Sequence, residues 1–397
     1  MAEPVAGTRP DAGGRTPRPV RAAIAGGGTG GHVFPAIALA RALAEAGEPA
    51  VLDPRADVWV VGTASGDEGT TVRAAGIDFE ALDVMGFSRS ASPRNLVAAG
   101  KGALATLRAA RILRRRGADV AVGMGAYVSV PVAAAAALLR IPFVVHEGNA
   151  VPGVANRLAA RWATAVAVTF AEAEQWFRLP VQVTGYPVRP EIAHLDRPAL
   201  RSEALAHFGL EDGRLTLLVF GGSQGARRIN EAVLGCYDRW RSERSLQVLH
   251  LAGTTGLAVA EGQLAAARDP ADALIWSIAG STDRMDLAYA AADLAVSRAG
   301  AATLSELACA GLPAVVVPYP YATADHQRAN TQALVESQAV RTILDADCTP
   351  EALGDLVDTL LADEPARGAM SARIRGFARP DAASALADLV RRVARPR

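Results

Sequence analysis

Short apolar runs rich in β-branched residues alternate with Ala-rich stretches along most of the chain. Val20–Ile24, Val58–Val61, Val120–Gly123, Phe143–His146 and Ala165–Thr169 are bounded by Gly, Pro or polar residues and predict strands. Stretches such as Val33–Ala46 between them predict helices. Strands without polar alternation belong in a parallel sheet covered by helices on both faces. A second series, Leu215–Phe220, Val248–Leu251, Leu294–Ser297 and Ala314–Val317, repeats the pattern. The expected fold is α/β: two doubly wound Rossmann-like domains facing a cleft. Between the series, Thr184-Gly185-Tyr186-Pro187-Val188-Arg189-Pro190 suits a linker, which places one domain at 20–185 and the other at 186–378. The last predicted helix, Pro380–Arg395 within the segment 379–397, could pack on either domain, the N-terminal one included.

Composition narrows the picture. The 397 residues suffice for two cores, and 41 basic against 41 acidic residues give no global drive toward nucleic acid, so no nucleic-acid partner is expected. Cys236, Cys309 and Cys348 are odd in number and widely spaced, which argues against disulfides or zinc and for ordinary thiols in a reducing cytoplasm. Residues 1–19 are rich in Pro, Gly, Arg and Ala without an apolar core, so a disordered tail is expected there rather than a signal peptide. Ala126–Leu139 is apolar but holds Pro131 and falls short of the roughly 20 residues a bilayer span needs.

Glycine-rich turns stand at three strand ends. Ala25-Gly26-Gly27-Gly28-Thr29-Gly30-Gly31-His32 follows the first strand and opens a helix. Free N–H groups and the positive helix end there favour anionic oxygens. It contains G-x-G-x-x-G, but Asp53 and Asp57 precede the next strand rather than ending it, which disfavours a dinucleotide site. Gly221-Gly222-Ser223-Gln224-Gly225-Ala226-Arg227 repeats the arrangement, and the Ser223 hydroxyl suits a phosphate oxygen. Ser297-Arg298-Ala299-Gly300-Ala301-Ala302-Thr303 leads into a third helix carrying Glu306, whose carboxylate could accept both hydroxyls of a ribose. Any one turn could be architecture; three in a two-domain chain point to a nucleotide diphosphate. His32, titrating near neutral pH beside the first turn, is the first candidate general base, and His146-Glu147 at a strand end is the second. Each has a competing reading: His32 as a hydrogen-bonding group only, His146-Glu147 as a pair that closes a loop.

One window breaks the charge balance. Between Asp83 and Asp119 no acidic residue occurs, while Arg89, Arg94, Lys101, Arg108, Arg111, Arg114, Arg115 and Arg116 do. On a helix, Lys101, Arg108, Arg111 and Arg115 share a sector with Val97 and Leu104. Such a face is either ordinary solvated surface or suited to an anionic bilayer.

The segments Gly27–Pro35, Gly123–Ser129, His146–Asn149, Gly221–Arg227 and Ser305-Glu306, in this order and spacing over residues 20–395, resemble the MurG family of glycosyltransferase family 28. These are UDP-N-acetylglucosamine transferases that convert lipid I to lipid II in peptidoglycan synthesis. The resemblance implies the GT-B fold, an inverting reaction, no cofactor and no catalytic metal. It implies donor-site roles for Thr29, Gly30, Gly31, Asn149, Arg189, Ser223 and Gln224, a ribose anchor at Glu306, and a helix start beneath the nucleotide at Ala301, Ala302 and Thr303. It also implies a sugar contact at Gln327, for which the amide offers a donor and an acceptor, while Arg189 offers a charged fork for a diphosphate. Where many members have Glu-Gln-Asn this chain has Glu147-Gly148-Asn149, and Ser281-Thr282 replaces an apolar pair where the uracil edge is read, leaving the Thr282 hydroxyl for that contact. The implied acceptor is an undecaprenyl-diphosphate-linked muramoyl pentapeptide, and the implied location is peripheral, on the cytoplasmic face of the cell membrane. That turns the basic helix face toward the bilayer reading. A different lipid or glycoside acceptor, or a nucleotide-binding protein without turnover, are the alternatives.

Overall fold

The computed structural model describes residues 20–27, 30–46, 51–52, 57–64, 68–85, 93–222, 225–322 and 325–395. The expected tail at 1–19, Arg89, Thr29, Ser223 and Gln224 lie outside these residues.

Two parallel sheets carry the fold. The first has β1 (Arg21–Ala25), β2 (Asp57–Thr63), β3 (Asp78–Leu82), β4 (Val120–Gly123), β5 (Phe143–Glu147), β6 (Ala165–Val168) and β7 (Val181–Val183) in the order β3-β2-β1-β4-β5-β6-β7. The second has β8 (Leu215–Phe220), β9 (Leu246–Leu251), β10 (Ile275–Ala279), β11 (Leu294–Ser297), β12 (Ala314–Val316) and β13 (Arg341–Thr342) in the order β10-β9-β8-β11-β12-β13. All their ladders are parallel. Successive residues of a strand enter opposite cores: Ala22 and Ile24 join one cluster and Ala23 and Ala25 another, as Leu217 and Val219 do opposite Leu218 and Phe220. Burial on both faces is why these runs lack alternation.

In each sheet the strand order reverses between the central pair, and there the glycine loops emerge side by side. Ala25 pairs with Gly123 and Phe220 with Ser297, so residues 26–27 and 124–128 adjoin in one domain and 221–222 and 298–300 in the other. Crevices at such switch points take ligands in open α/β sheets.

The first helix runs Gly30–Ala44, earlier than the apolar periodicity suggests, because Glu45-Ala46 leave it to pair antiparallel with Val51-Leu52. The chain crosses between sheets twice. The helix Ala382–Val393 returns to the first sheet, burying Leu386, Ala387, Leu389 and Val390 among Ile24, Val33 and Leu39. Arg391 donates to the Ala42 carbonyl at 2.7 Å, and Arg395 N–H to the Asp119 carbonyl at 3.1 Å. The crossings touch at Gly185, where φ is +84° and a Cβ would lie 2.5 Å from that of Arg379. Both facts demand glycine.

Candidate functional site

His32 sits in the first turn of the helix Gly30–Ala44, half-buried, with Nδ1 2.9 Å from the Met124 carbonyl. A carbonyl only accepts, so Nδ1 carries the proton and Nε2 keeps its lone pair. Burial pushes the imidazole pKa below its ordinary value, and His326 of the other domain adds a smaller push the same way. The ring is therefore a neutral base at pH 7. Its seat is Gly125, at φ +101°, where a Cβ would come within 2.7 Å of the His32 ring. The segment Gly123–Ser129 thus shapes the site by what it omits.

Glu147, the second candidate base, is buried at the end of β5 and fully engaged. Oε1 accepts from Asn149 N at 2.8 Å and Nδ2 at 3.2 Å, and Oε2 from Asn156 Nδ2 at 2.9 Å and Gly153 N at 3.1 Å. Desolvation raises its pKa against these donors. Geometry therefore gives Glu147 the loop-closing role. His146 is likewise committed: its Nε2 donates to the Gly185 carbonyl at 3.0 Å, and burial lowers its pKa to about 4.

The loop that Glu147 closes is clasped from the other domain. Asn330, buried on the helix His326–Glu336, accepts from Ala150 N at 2.9 Å through Oδ1 and donates to Asn149 Oδ1 at 3.1 Å through Nδ2. Gln327 lies one turn before it. Its Oε1 accepts from Ala299 N at 3.2 Å and Tyr319 N at 2.9 Å, which leaves its NH2 group as the part that can serve a further partner. This corrects the expectation of both donor and acceptor there.

Glu306 and Arg189 meet within the cleft. Arg189 Nη2 is 3.6 Å from Glu306 Oε1, while its guanidinium lies 5.0 Å from the centre of the Phe34 ring, two residues beyond His32. Burial raises the Glu306 pKa, opposed by Arg189 and by Tyr289. Ala301, Ala302 and Thr303 form the first turn of the helix Ala301–Ala310, which Gly300 leaves without a side-chain cap. Its leading N–H groups face outward from that end. The Thr282 hydroxyl accepts from Arg284 N at 3.0 Å and keeps its own proton to donate. Gly30 and Gly31 begin the first helix, where Pro35, lacking an N–H, leaves the Gly31 carbonyl without its helical donor. The Tyr186 hydroxyl donates to that carbonyl instead. Among the described residues no group of His, Cys, Asp and Glu is placed to hold a metal ion.

Four of these residues escape sequence reasoning: Asn156, Tyr186, Tyr289 and Asn330. Asn330 alone carried a readable signal, its three-residue spacing from Gln327 on one helix face.

The basic helix is Pro93–Arg116. Ala105, Ala109, Ile112 and Leu113 are buried, while Leu104 and Leu107 are 68% and 52% exposed beside exposed Arg108 and Arg111. Two of the four cations expected on the outer face have acidic partners from the sheet edge. Lys101 pairs with Asp83 at 2.8 Å and Arg115 with Glu80. Among the described residues no helix is long and apolar enough to cross a membrane.

Comparison with known proteins places this geometry. Residues 22–168 match the glycosyltransferase family 28 N-terminal domain and residues 216–386 the family 28 C-terminal domain. A UDP-N-acetylglucosamine--N-acetylmuramyl-(pentapeptide) pyrophosphoryl-undecaprenol N-acetylglucosamine transferase of Acidothermus cellulolyticus is 41% identical over 375 residues, covering 94% of this chain and 98% of its own. Its namesake in Halothermothrix orenii is 37% identical over 373 residues, covering 92% and 96%. The crystal structure of Acinetobacter baumannii MurG superposes with a TM-score of 0.73 at 30% identity, covering 94% of this chain and all of that one.

Proposed function

The chain belongs to glycosyltransferase family 28, and from that premise we propose that it transfers N-acetylglucosamine, with inversion, from UDP-N-acetylglucosamine to the 4-hydroxyl of the muramoyl sugar of undecaprenyl-diphosphate-linked N-acetylmuramoyl pentapeptide. One observation carries the reading at the site: Arg189 spans the cleft, 5.0 Å from the Phe34 ring and 3.6 Å from Glu306. A single side chain thereby links the helix bearing the candidate base to the candidate ribose anchor.

In this mechanism His32 Nε2 takes the proton of the attacking hydroxyl while Nδ1–H stays on the Met124 carbonyl. That carbonyl fixes the tautomer and stabilises the imidazolium as it forms. The hydroxyl displaces UDP in line from C1 of the donor sugar, which inverts that carbon. Negative charge grows on the leaving diphosphate and meets Arg189, Gly30 and Gly31 at one helix start, and Ala301, Ala302 and Thr303 at another. Glu306 holds the ribose, Thr282 reaches the base, and Gln327 donates to the sugar. Asn149 is held against the donor from both sides, by Glu147 and by Asn330. Thr29, Ser223 and Gln224 complete the phosphate loops.

We place the protein at the cytoplasmic face of the membrane, held there by Arg108 and Arg111 with Leu104 and Leu107, and Lys101 and Arg115 contributing less because of their acidic partners. Mass spectrometry of the product from UDP-N-acetylglucosamine and a lipid I analogue tests the reaction. The expected product gains one N-acetylhexosamine; no gain, alongside transfer to another lipid or glycoside, overturns the acceptor.

A further inference from the structure

Tyr289 lies on the helix Met285–Ala291, outside every loop described above, and its side chain is completely buried. Its ring meets Phe220 edge-on, at 5.9 Å between centres, where β8 runs into the second glycine loop. Its hydroxyl is 2.8 Å from Glu306 Oε2. Burial and the neighbouring carboxylate hold the phenol protonated, so the hydroxyl donates.

A carboxylate that accepts two hydroxyls of a diol must stay ionised and present its oxygens in one orientation. Burial works against the first requirement, and three rotatable bonds work against the second. Two groups oppose burial at Glu306, namely Arg189 and Tyr289. They differ in freedom. Arg189 reaches Glu306 only at 3.6 Å, also lies over Phe34, and on the reading above turns to the diphosphate when the donor binds. Tyr289 is wedged in the core and cannot leave. It occupies one lone pair of Oε2 and leaves the remaining lone pairs of the carboxylate toward the cleft.

We propose that Tyr289 is a positioning residue that fixes Glu306 for the ribose diol, an inference that rests on Glu306 being the ribose anchor. A fully buried aromatic on an Ala-rich helix reads in sequence as core. The hydroxyl gives it a second purpose.

Tyr289→Phe keeps the ring, its packing on Phe220 and the main-chain carbonyl that accepts from Arg197 at 3.0 Å. Steady-state kinetics with UDP-N-acetylglucosamine and its 2′-deoxyribose analogue test the inference. The variant should raise donor KM by roughly five-fold, the loss of one hydrogen bond, with kcat within about two-fold of the parent. Preference for the ribose donor should shrink by a similar factor. In a Glu306→Ala background, which removes the acceptor of the Tyr289 hydroxyl, the Tyr289→Phe change should leave KM where it was. An equal rise in KM for both donors, or a further rise in the Glu306→Ala background, overturns the positioning role. A parent enzyme indifferent to the 2′-hydroxyl overturns the anchor reading and the proposal with it.

Discussion

His32 shows how little a residue's identity says before its neighbours are known. An imidazole near neutral pH can be acid, base or simple hydrogen-bond partner. The Met124 carbonyl decides the tautomer, and burial decides the charge. The acid limb of the kcat profile should therefore fall at a pH below 6.5, since the folded pKa is lowered and protonation abolishes the base. His32→Ala should cut kcat by more than about 100-fold. Unchanged kcat with raised donor KM would instead assign His32 to binding. Glu147 illustrates the converse: a carboxylate beside a histidine at a strand end reads as catalytic, yet four donors from the loop and helix that follow it account for both its oxygens.

At the scale of elements, the basic helix Pro93–Arg116 was legible as a charged face, but sequence could not see which charges had partners. Asp57, Asp78 and Glu80 of two strands, and Asp83 just after the second, claim Arg116, Arg115 and Lys101, while Arg116 also stacks 4.5 Å over Trp59. The exposed remainder is Arg108, Arg111 and Arg114 with Leu104 and Leu107. Reversing Arg108 and Arg111 to Glu should weaken sedimentation with anionic vesicles by about ten-fold at low salt, at roughly 1 kcal/mol or less per charge, and parent binding should fade as salt rises. Equal binding of the parent to neutral and anionic vesicles would remove the electrostatic part of the proposal.

For the molecule as a whole, two histidines besides His32 tie stability to pH. His146 holds the linker through the Gly185 carbonyl and His250 is buried in the second domain, each with a pKa lowered from 6.5 to about 4. As pH falls below 6.5 the unfolded chain takes up these protons first, so stability is full above that value and lost between 6.5 and 4. The loss approaches roughly 3 kcal/mol for each group. Urea midpoints measured from pH 7.5 to 4.5 should fall steadily on the acid side; midpoints that rise toward pH 5 would contradict these assignments.

The sequence by itself determined the two α/β domains, the glycine turns at strand ends and the main candidates for the site. Those features follow from local rules: apolar runs bury on both faces, and strand-to-helix turns free N–H groups. Tertiary structure decided what those residues do. Asn330 clasps Asn149 across 181 positions of chain, Tyr186 caps a carbonyl that Pro35 freed 155 residues earlier, and the helix Ala382–Val393 closes the first domain from the far end. Hydrogen bonds of that span leave no periodicity to read, because they depend on which surfaces two separately folded sheets bring together. The same holds for Tyr289, whose ring is written in the hydrophobic pattern and whose hydroxyl acquires a partner only in the folded chain.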